Sequence, residues 1–406
     1  MSARLYTILS TQKILESKGA WIHPSVEFVE TAGEMTMRIR ANESITANTI
    51  LMYIPKRLCC KPARADDKVD LIMAIARYLS GRGSIDENTK NVIHLCSSNV
   101  DHLPLLHCTE DVLNEWTAVD PEFGSMMRSI YNNEVKNYNA YIADNSVRGA
   151  GDITLEEYLR ASVIYNSRAW GEFGLVPLMD LAQHQNRASC MVFSPIKHGN
   201  SPVISASLIE FVNNHPDLDI GVQDSLLISL SPMSGGSEVF ISYGDKTMTN
   251  MLCSYGFVDA HNAHILININ GSRATDDAKT FIESRKFPKQ FTFTSDLGVP
   301  SSFIQINRIC LDAAFNASKD YSKLVSLDLE HAVINDTLTP LRKVEASLIT
   351  KINALKSAND TLIVKLARQP QDFVYEHLSK IAEIELGIIQ KSISALRNYW
   401  QSFIVA

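Results

Sequence analysis

The 406-residue chain lacks a C-x-x-C pair, an apolar run of the roughly 18 residues that cross a bilayer, and any surplus of basic residues. Each absence removes a class of function. Its 38 Lys and Arg stand against 45 Asp and Glu, a formal charge of −7, which argues against a nucleic-acid footprint. The seven cysteines (59, 60, 96, 108, 190, 253 and 310) are scattered, and vicinal Cys59 and Cys60 are poorly disposed to share a zinc ion. An odd, dispersed set reads as reduced, buried thiols. We therefore expect a soluble protein of the cytoplasm or nucleus, with no metal site and no membrane or direct nucleic-acid partner. The opening MSARLYTILSTQKILESKG has no continuous apolar core and reads as a capped amphipathic helix, not an export signal.

What the chain does have is a globular composition, 45% apolar and 20% charged, and a length that suits two or three units of ordinary domain size. The hydrophobic spacing changes period along it. VEFVE, MTMRIRA and TILMYIP read as strands between 20 and 62, with breaks at Gly33, Asn42 and Asn48. From 68 to 160 the period is helical: Val69, Ile72, Met73, Ala76 and Leu79 share a face. Further helices follow through TEDVLNEWTAV and EFGSMMRSIYNNEVKNYNAYI, and TLEEYLRASVIYNSRAW opens with a Thr154 cap. Strands return as LVPLMDLA, SCMVFS, PVISASLIEF, SLLISLS and EVFISYG. From about 300 the chain reads as helix to its end. Leu341, Val344, Leu348, Ile352 and Leu355 form one apolar face, and Leu378, Ile381, Ile384, Ile388 and Leu396 another. The expected class is α+β: one β-rich unit split by a helical insert, with a helical domain appended.

Chemistry concentrates in two segments. ISYGDKTMTNMLCSYGF (241–257) carries Tyr-Gly twice, on either side of one short helix. Asp245 or Thr247 can cap that helix, and Met248, Met251, Leu252 and Tyr255 fall on one face. Tyr243 ends the preceding strand, so both hydroxyls can meet over one small pocket. Two buried, satisfied tyrosines would give the same spacing. YNSRAWGEFGLVPLMDLAQHQNRAS (165–189) puts Arg168 at a helix end, where its planar fork suits a carboxylate, then Asp180 and His184 beyond a buried strand. No G-x-S-x-G elbow supplies a nucleophile for a hydrolase triad, and His184 has no partner at metal-ligand spacing.

SRAW…LVPLMDLAQHQ followed by GGSEVFISYGDKTMTNMLCSYGFV resembles the SET-domain protein methyltransferases. The likeness is to the branch containing the Rubisco large-subunit lysine methyltransferase and its ribosomal-protein and actin-directed relatives. WIHPSVEFVE, ITANTILMYIPKRL and HLPLLHCTEDVLNEW are similar to that branch's amino-terminal strands and helical insert, so the resemblance covers nearly the whole chain. It implies a SET-domain β-fold with a pseudoknot, in which a terminal strand passes through a loop of the preceding segment. The implied divisions are 1–62 and 161–262 for the two parts of that fold, 63–160 for the insert, and 263–406 for an all-α substrate-binding domain. The implied activity is S-adenosyl-L-methionine-dependent lysine N-methylation, by a monomer, of a non-histone protein such as a ribosomal or other abundant soluble protein.

By position, the resemblance implies that Arg168 holds the cofactor's carboxylate and Asp180 closes the substrate channel. Gln183 and His184 would grip the adenine, with Phe257 packed near it. Tyr243 would put its hydroxyl at the methyl-transfer centre, and Tyr255 would line the lysine channel with Arg168, Asp180 and Tyr243. Glu34, Met35 and Thr36 would be the amino-terminal cofactor segment. There the chain departs from the family, whose glycine-rich loop is here GEMTMRIRA; its N-H pair is Gln183–His184, and its K-S-N-x-E helix is Lys246-Thr247-Met248-Thr249-Asn250. The departures keep open a catalytically silent scaffold that binds a partner through the helical tail. A histidine methyltransferase is the other alternative. Met179, where the actin-histidine relative has an aromatic residue, and the retained Tyr255 favour lysine.

Overall fold

The computed structural model describes residues 2–31, 34–60, 62, 68–87, 89–90, 93, 100–143, 153–170, 173–185, 188–195, 202–244, 246–259, 264–268, 290–294, 341–343, 345–347, 349–350, 352–353 and 370–404. Gly33, Asp245, Val344, Leu348, Leu355, Cys96 and Cys310 lie outside the described residues, as do the side chains of Glu34 and Leu396. The chain divides into two compact units. The first is Met1–Leu113, Ser125–Lys246 and Cys253–Gly256; the second is Asn114–Gly124, Thr247–Leu252 and Phe257–Ala406.

The first unit opens with α1 (Ala3–Ser17), whose first turn is capped by Ser2 accepting from the Leu5 N–H. Five strands follow: β1 (Trp21–Ile22), β2 (Val26–Thr31), β3 (Glu34–Ile39), β4 (Ser44–Ile45) and β5 (Ile50–Ile54). Next come α2 (Lys68–Leu79), α3 (Glu110–Val119), α4 (Pro121–Ala143) and α5 (Leu155–Arg168). Beyond them lie β6 (Ala169–Trp170), β7 (Gly174–Leu175), β8 (Gln183–His184), β9 (Cys190–Phe193) and α6 (Pro202–Asn214). The series closes with β10 (Ser225–Ser229), β11 (Met233–Ser234), β12 (Phe240–Ile241) and α7 (Met248–Tyr255); residues 114–119 of α3 and 248–252 of α7 belong to the second unit.

Six strands form the main sheet in the order β1-β5-β10-β9-β12-β8. The first four pair antiparallel, whereas β12 runs parallel to both β9 and β8, with Ile241 opposite Cys190 and His184. A late strand therefore fills the slot between two strands that are consecutive in sequence. Its approach is held by β3: the Ile39 N–H donates to the Ser237 carbonyl at 2.9 Å and the Val239 N–H to the Met37 carbonyl at 2.8 Å. Both faces of the sheet are covered, so β5 and β10 are buried along their whole lengths. Met52, Ile54 and Leu227 face α1 and the β2–β3 hairpin, with Ile8, Leu15, Phe28 and Ile39. Ile50, Tyr53, Leu226 and Ile228 face Phe193 and Phe211. Leu226, Leu227 and Ile228 alternate with the period of two expected of a strand, whereas the register shift opposite Leu227 and Ile228 puts Ile50 and Tyr53 of β5, three residues apart, on one face. A buried carboxylate ties down the far end: Asp224 accepts from the Tyr53 hydroxyl at 2.8 Å, the Lys56 N–H at 2.8 Å and the Gly221 N–H at 2.6 Å.

Three strand assignments made from sequence are corrected. PVISASLIEF is not a strand but most of α6: Ile204, Leu208 and Phe211 pack on the sheet while Ile209 is 62% exposed. The i, i+4, i+7 spacing prevails over the β-branched composition. LVPLMDLA is a strand only at Gly174–Leu175, because Pro177 cannot donate to a ladder and Leu178 turns left-handed (φ 65°) into a 3-10 turn at Met179–Leu181. EVFISYG enters the main sheet only at Phe240–Ile241, its first half being paired with β3.

In the second unit, α8 (Pro370–Ile404) buries Leu378, Ile381 and Ile388 of the apolar face read from the sequence, with Ile384 half-buried and with Val374 and Tyr375 buried beside them. Leu341 and Ile352 are likewise buried in helical backbone. The unit is not wholly helical. β13 (His264–Asn268) and β14 (Gln290–Thr294) pair antiparallel with Ile265 opposite Phe293, as the β-branched and aromatic alternation of HILIN and QFTFT favours.

Burial pushes the thiols of Cys60 and Cys190 up to about 11 and that of Cys108 up to about 12. In the unfolded chain a thiol ionises near pH 8.5, so above that pH the unfolded state sheds protons that the folded state keeps, and stability falls. Each thiol ionised only in the unfolded chain steepens the loss by about 1.4 kcal/mol per pH unit. Melting curves should be flat from pH 7 to about 8.5 and drop steadily beyond, less steeply for Cys108→Ala. A flat profile to pH 10.5 would contradict the burial of these thiols.

Candidate active site

The site is built where α5 and β12 end. α5 opens with a capping box: the Thr154 hydroxyl accepts from the Glu157 N–H, and the Glu157 carboxylate accepts from the Thr154 N–H at 2.8 Å. Tyr158, Leu159, Ala161, Val163 and Ile164 anchor its inner face, which fixes where its last residue, Arg168, emerges. The Arg168 Nη1 donates to the Asp180 carbonyl at 3.1 Å. Asp180 sits on the 3-10 turn that follows Leu178. A non-glycine residue in that left-handed conformation costs about 1–3 kcal/mol, and the fully buried Leu178 side chain holds it there. The strained turn places Asp180, itself 3% exposed, against the end of α5.

Tyr243 lies two residues beyond the end of β12, after Ser242. Its N–H donates to His184 Nδ1 at 3.0 Å and its hydroxyl donates to the Ala182 carbonyl at 3.2 Å. The first bond requires an unprotonated Nδ1, so the His184 proton is on Nε2. The Tyr243 ring lies 5.0 Å from His184, 4.8 Å from Tyr255 and 6.2 Å, edge-on, from Trp170. Burial, reinforced by Tyr255 and Asp180 and opposed by Arg168, pushes the Tyr243 phenol up to about 12. It is a neutral donor at any physiological pH. Burial raises Tyr255 as well. A cavity of about 570 Å³ opens here, lined among others by Arg168, Trp170, Phe173, Asp180, Tyr243 and Tyr255.

Four residues singled out from sequence thus share one cavity: Arg168, Asp180, Tyr243 and Tyr255. Gln183 and His184 lie on β8, His184 against the Tyr243 ring and Gln183 reaching the Met35 carbonyl at 3.4 Å. Met35 and Thr36 are 3% and 5% exposed and belong to β3, paired in regular register with Glu30 and Val29. The segment expected as a cofactor loop is therefore a strand here, since Met-Thr-Met can alternate across a pleat where glycines could not. The Thr36 hydroxyl is buried without a hydrogen-bond partner among the described residues. Glu34 begins that strand, and Phe257 is half-buried at the start of the second unit's last segment. Sequence reasoning missed Trp170, Phe173 and Lys246 as cavity walls. The signal for the first two was available: aromatic residues two and five positions after the arginine.

No protein-family model matches the sequence, and no curated protein does. Solved structures match over nearly the full length. The SET domain of LSMT bound to lysine and AdoHcy shares 15% identity at a TM-score of 0.58, covering 98% of this chain and 92% of that one. Rubisco LSMT bound to sinefungin and monomethyllysine matches at 15% identity and a TM-score of 0.56, with 98% and 92% covered. Rubisco LSMT bound to AdoMet matches at 16% and 0.54, with 97% and 92% covered. The chain has the SET-domain fold of these structures.

Both Tyr-Gly glycines are in the left-handed region, Gly244 at φ 92° and Gly256 at φ 71°. A Cβ on Gly244 would meet open space, whereas one on Gly256 would lie 2.6 Å from the His102 ring and 2.8 Å from Leu103. Gly244→Ala should cost about 1 kcal/mol of backbone strain, and Gly256→Ala roughly 2–3 kcal/mol because a clash is added. Denaturant melts of the two variants check this, and equal losses would contradict the packing at Gly256.

Proposed function

We propose that the chain is an S-adenosylmethionine-dependent protein-lysine N-methyltransferase. The observation that carries this reading is the single cavity where Arg168, Asp180, Tyr243 and Tyr255 converge with Trp170 and Phe173. The lysine, monomethyllysine, AdoMet and AdoHcy bound in the structures of like fold support it. So does the donor set. A guanidinium suits the cofactor's carboxylate and aromatic faces suit its sulfonium, in a cavity of ligand size. The cofactor supplies an activated methyl group. Arg168 would hold its carboxylate. The Gln183–His184 backbone and the Thr36 hydroxyl, which lacks a partner among the described residues, would meet its nucleoside.

The chain's own task is to prepare the acceptor. A free lysine titrates near 10.4, so only about 0.1% is neutral at pH 7.4. Aromatic walls and the Arg168 charge lower that value by desolvation and repulsion, while buried Asp180 offsets the cost of admitting a cation. The Tyr243 proton is committed to Ala182, which leaves its oxygen lone pairs to receive an amine N–H. Positioning then carries most of the rate. Tyr255, stacked on Tyr243, restricts the space beside the amine and favours lysine over histidine. The substrate is a soluble protein, selected by region 263–406, with 1–62 and 161–262 forming the catalytic core and 63–160 its insert. One observation favours a silent scaffold instead: Met35 and Met37, at the place of the family's glycines, are packed into the core.

The test uses the full chain with isotopically labelled S-adenosylmethionine and a soluble protein extract, read by mass spectrometry. We expect label on lysine, and Tyr243→Phe should fold and lower the transfer rate by on the order of 10²–10³. Label on histidine would favour the histidine reading, and equal labelling by Tyr243→Phe would remove the tyrosine from the chemistry.

A further inference from the structure

We propose that a second cavity, beside the first, is a subsite for a guanidinium group with Glu134 as its anionic partner. Glu134 lies on α4 and is 5% exposed. Its Oε2 accepts one hydrogen bond, from the Tyr158 hydroxyl at 3.0 Å, and among the described residues it makes no ion pair. Asp224 shows how this fold treats a carboxylate of similar burial: a hydroxyl and two backbone N–H groups surround it. Buried charges ordinarily need such compensation or a cation. Glu134 has one hydroxyl and a void. It lines a cavity of about 290 Å³ whose walls include the amides of Asn133 and Asn166, apolar Leu103 and Val163, and the ring of Tyr255. Asn166 and Tyr255 also line the first cavity, so a group seated at Glu134 is next to a group seated at Tyr243.

The chemistry of the walls selects the occupant. A carboxylate and two amides offer acceptors, apolar side chains accommodate a methylene stem, and Tyr255 offers a ring for stacking. Lys68 and Lys246 also line the cavity, with their ammonium groups 5.6 Å from the Tyr165 ring centroid and 5.9 Å from that of Tyr255. They repel either cation, but a planar guanidinium is more weakly hydrated than a compact ammonium, so it costs less to desolvate there, and it can engage the carboxylate through two donors. An anion would have to approach the buried charge of Glu134. The occupant is therefore an arginine side chain. Given the methyltransferase reading on which this role rests, it is an arginine flanking the target lysine in the substrate protein.

The test titrates N-acetyl-arginine amide into the full chain, with N-acetyl-citrulline amide as the neutral isostere, against wild type and Glu134→Gln. The arginine derivative should bind wild type at least tenfold tighter than the citrulline derivative, and that preference should fall at least fivefold in Glu134→Gln. The variant keeps a group that can bond Tyr158 and loses an undercompensated charge, so it should melt at or above the wild-type temperature. Equal binding of the two ligands to wild type, an unchanged preference in Glu134→Gln, or a lower melting temperature would each overturn the subsite. No readout involves methyl transfer, so failure here is distinguishable from failure of the methyltransferase reading.

Discussion

The arrangement depends on one constraint: β12 must occupy the slot between β8 and β9. Parallel pairing on both sides fixes its register, and the Ser237 and Val239 bonds to β3 fix its approach. Tyr243 is the second residue beyond that slot, after Ser242. Its N–H and hydroxyl are both bound by residues of the β8 segment, His184 and Ala182. A tyrosine held at both ends by hydrogen bonds and ringed by His184, Trp170 and Tyr255 cannot reorient without unpairing the strand behind it. Preorganisation of the phenol is thus a property of the sheet, not of the loop that carries it.

A second tie brings the cation. α5 delivers Arg168 only because its amino terminus is capped and its inner face buried, and the strained Leu178 turn delivers the carbonyl that receives it. The cost of that backbone is met by Leu178 burial in the main core. Sheet, helix and turn therefore converge on a volume whose walls are aromatic, with one guanidinium and one buried carboxylate. Such a volume suits a cationic acceptor that must become neutral before it reacts.

Much of this was legible in the sequence. The helices α2 to α5 follow from period 3.6 and the Thr154-x-x-Glu157 box, and the Tyr-Gly pair marked Gly244 and Gly256, two of the glycines that turn left-handed. Arg168, Asp180, Tyr243 and Tyr255 could be grouped only through the resemblance to the SET-domain family, since spacing alone fits two buried tyrosines equally well; the fold lines one cavity with all four. The errors have physical sources. In PVISASLIEF, β-branched composition concealed a helical stripe that becomes visible only once Ile204, Leu208 and Phe211 have a sheet to cover. In LVPLMDLA, a buried apolar run resembled a strand, yet Pro177 and the left-handed Leu178 interrupt it, and no local propensity announces a left-handed leucine. The role of Glu134 was illegible because its neighbours come from α5, the segment near Leu103, and the end of α7.

The central claim is that the cavity at Tyr243 holds S-adenosylmethionine through Arg168. Isothermal titration of the full chain with S-adenosylmethionine, repeated with Arg168→Ala, tests it most directly. We predict one-site binding displaced by S-adenosylhomocysteine and weakened roughly 10- to 100-fold in the variant, the loss expected for a charge-assisted hydrogen-bonded pair. No saturable heat, or an affinity unchanged by Arg168→Ala, would contradict the account.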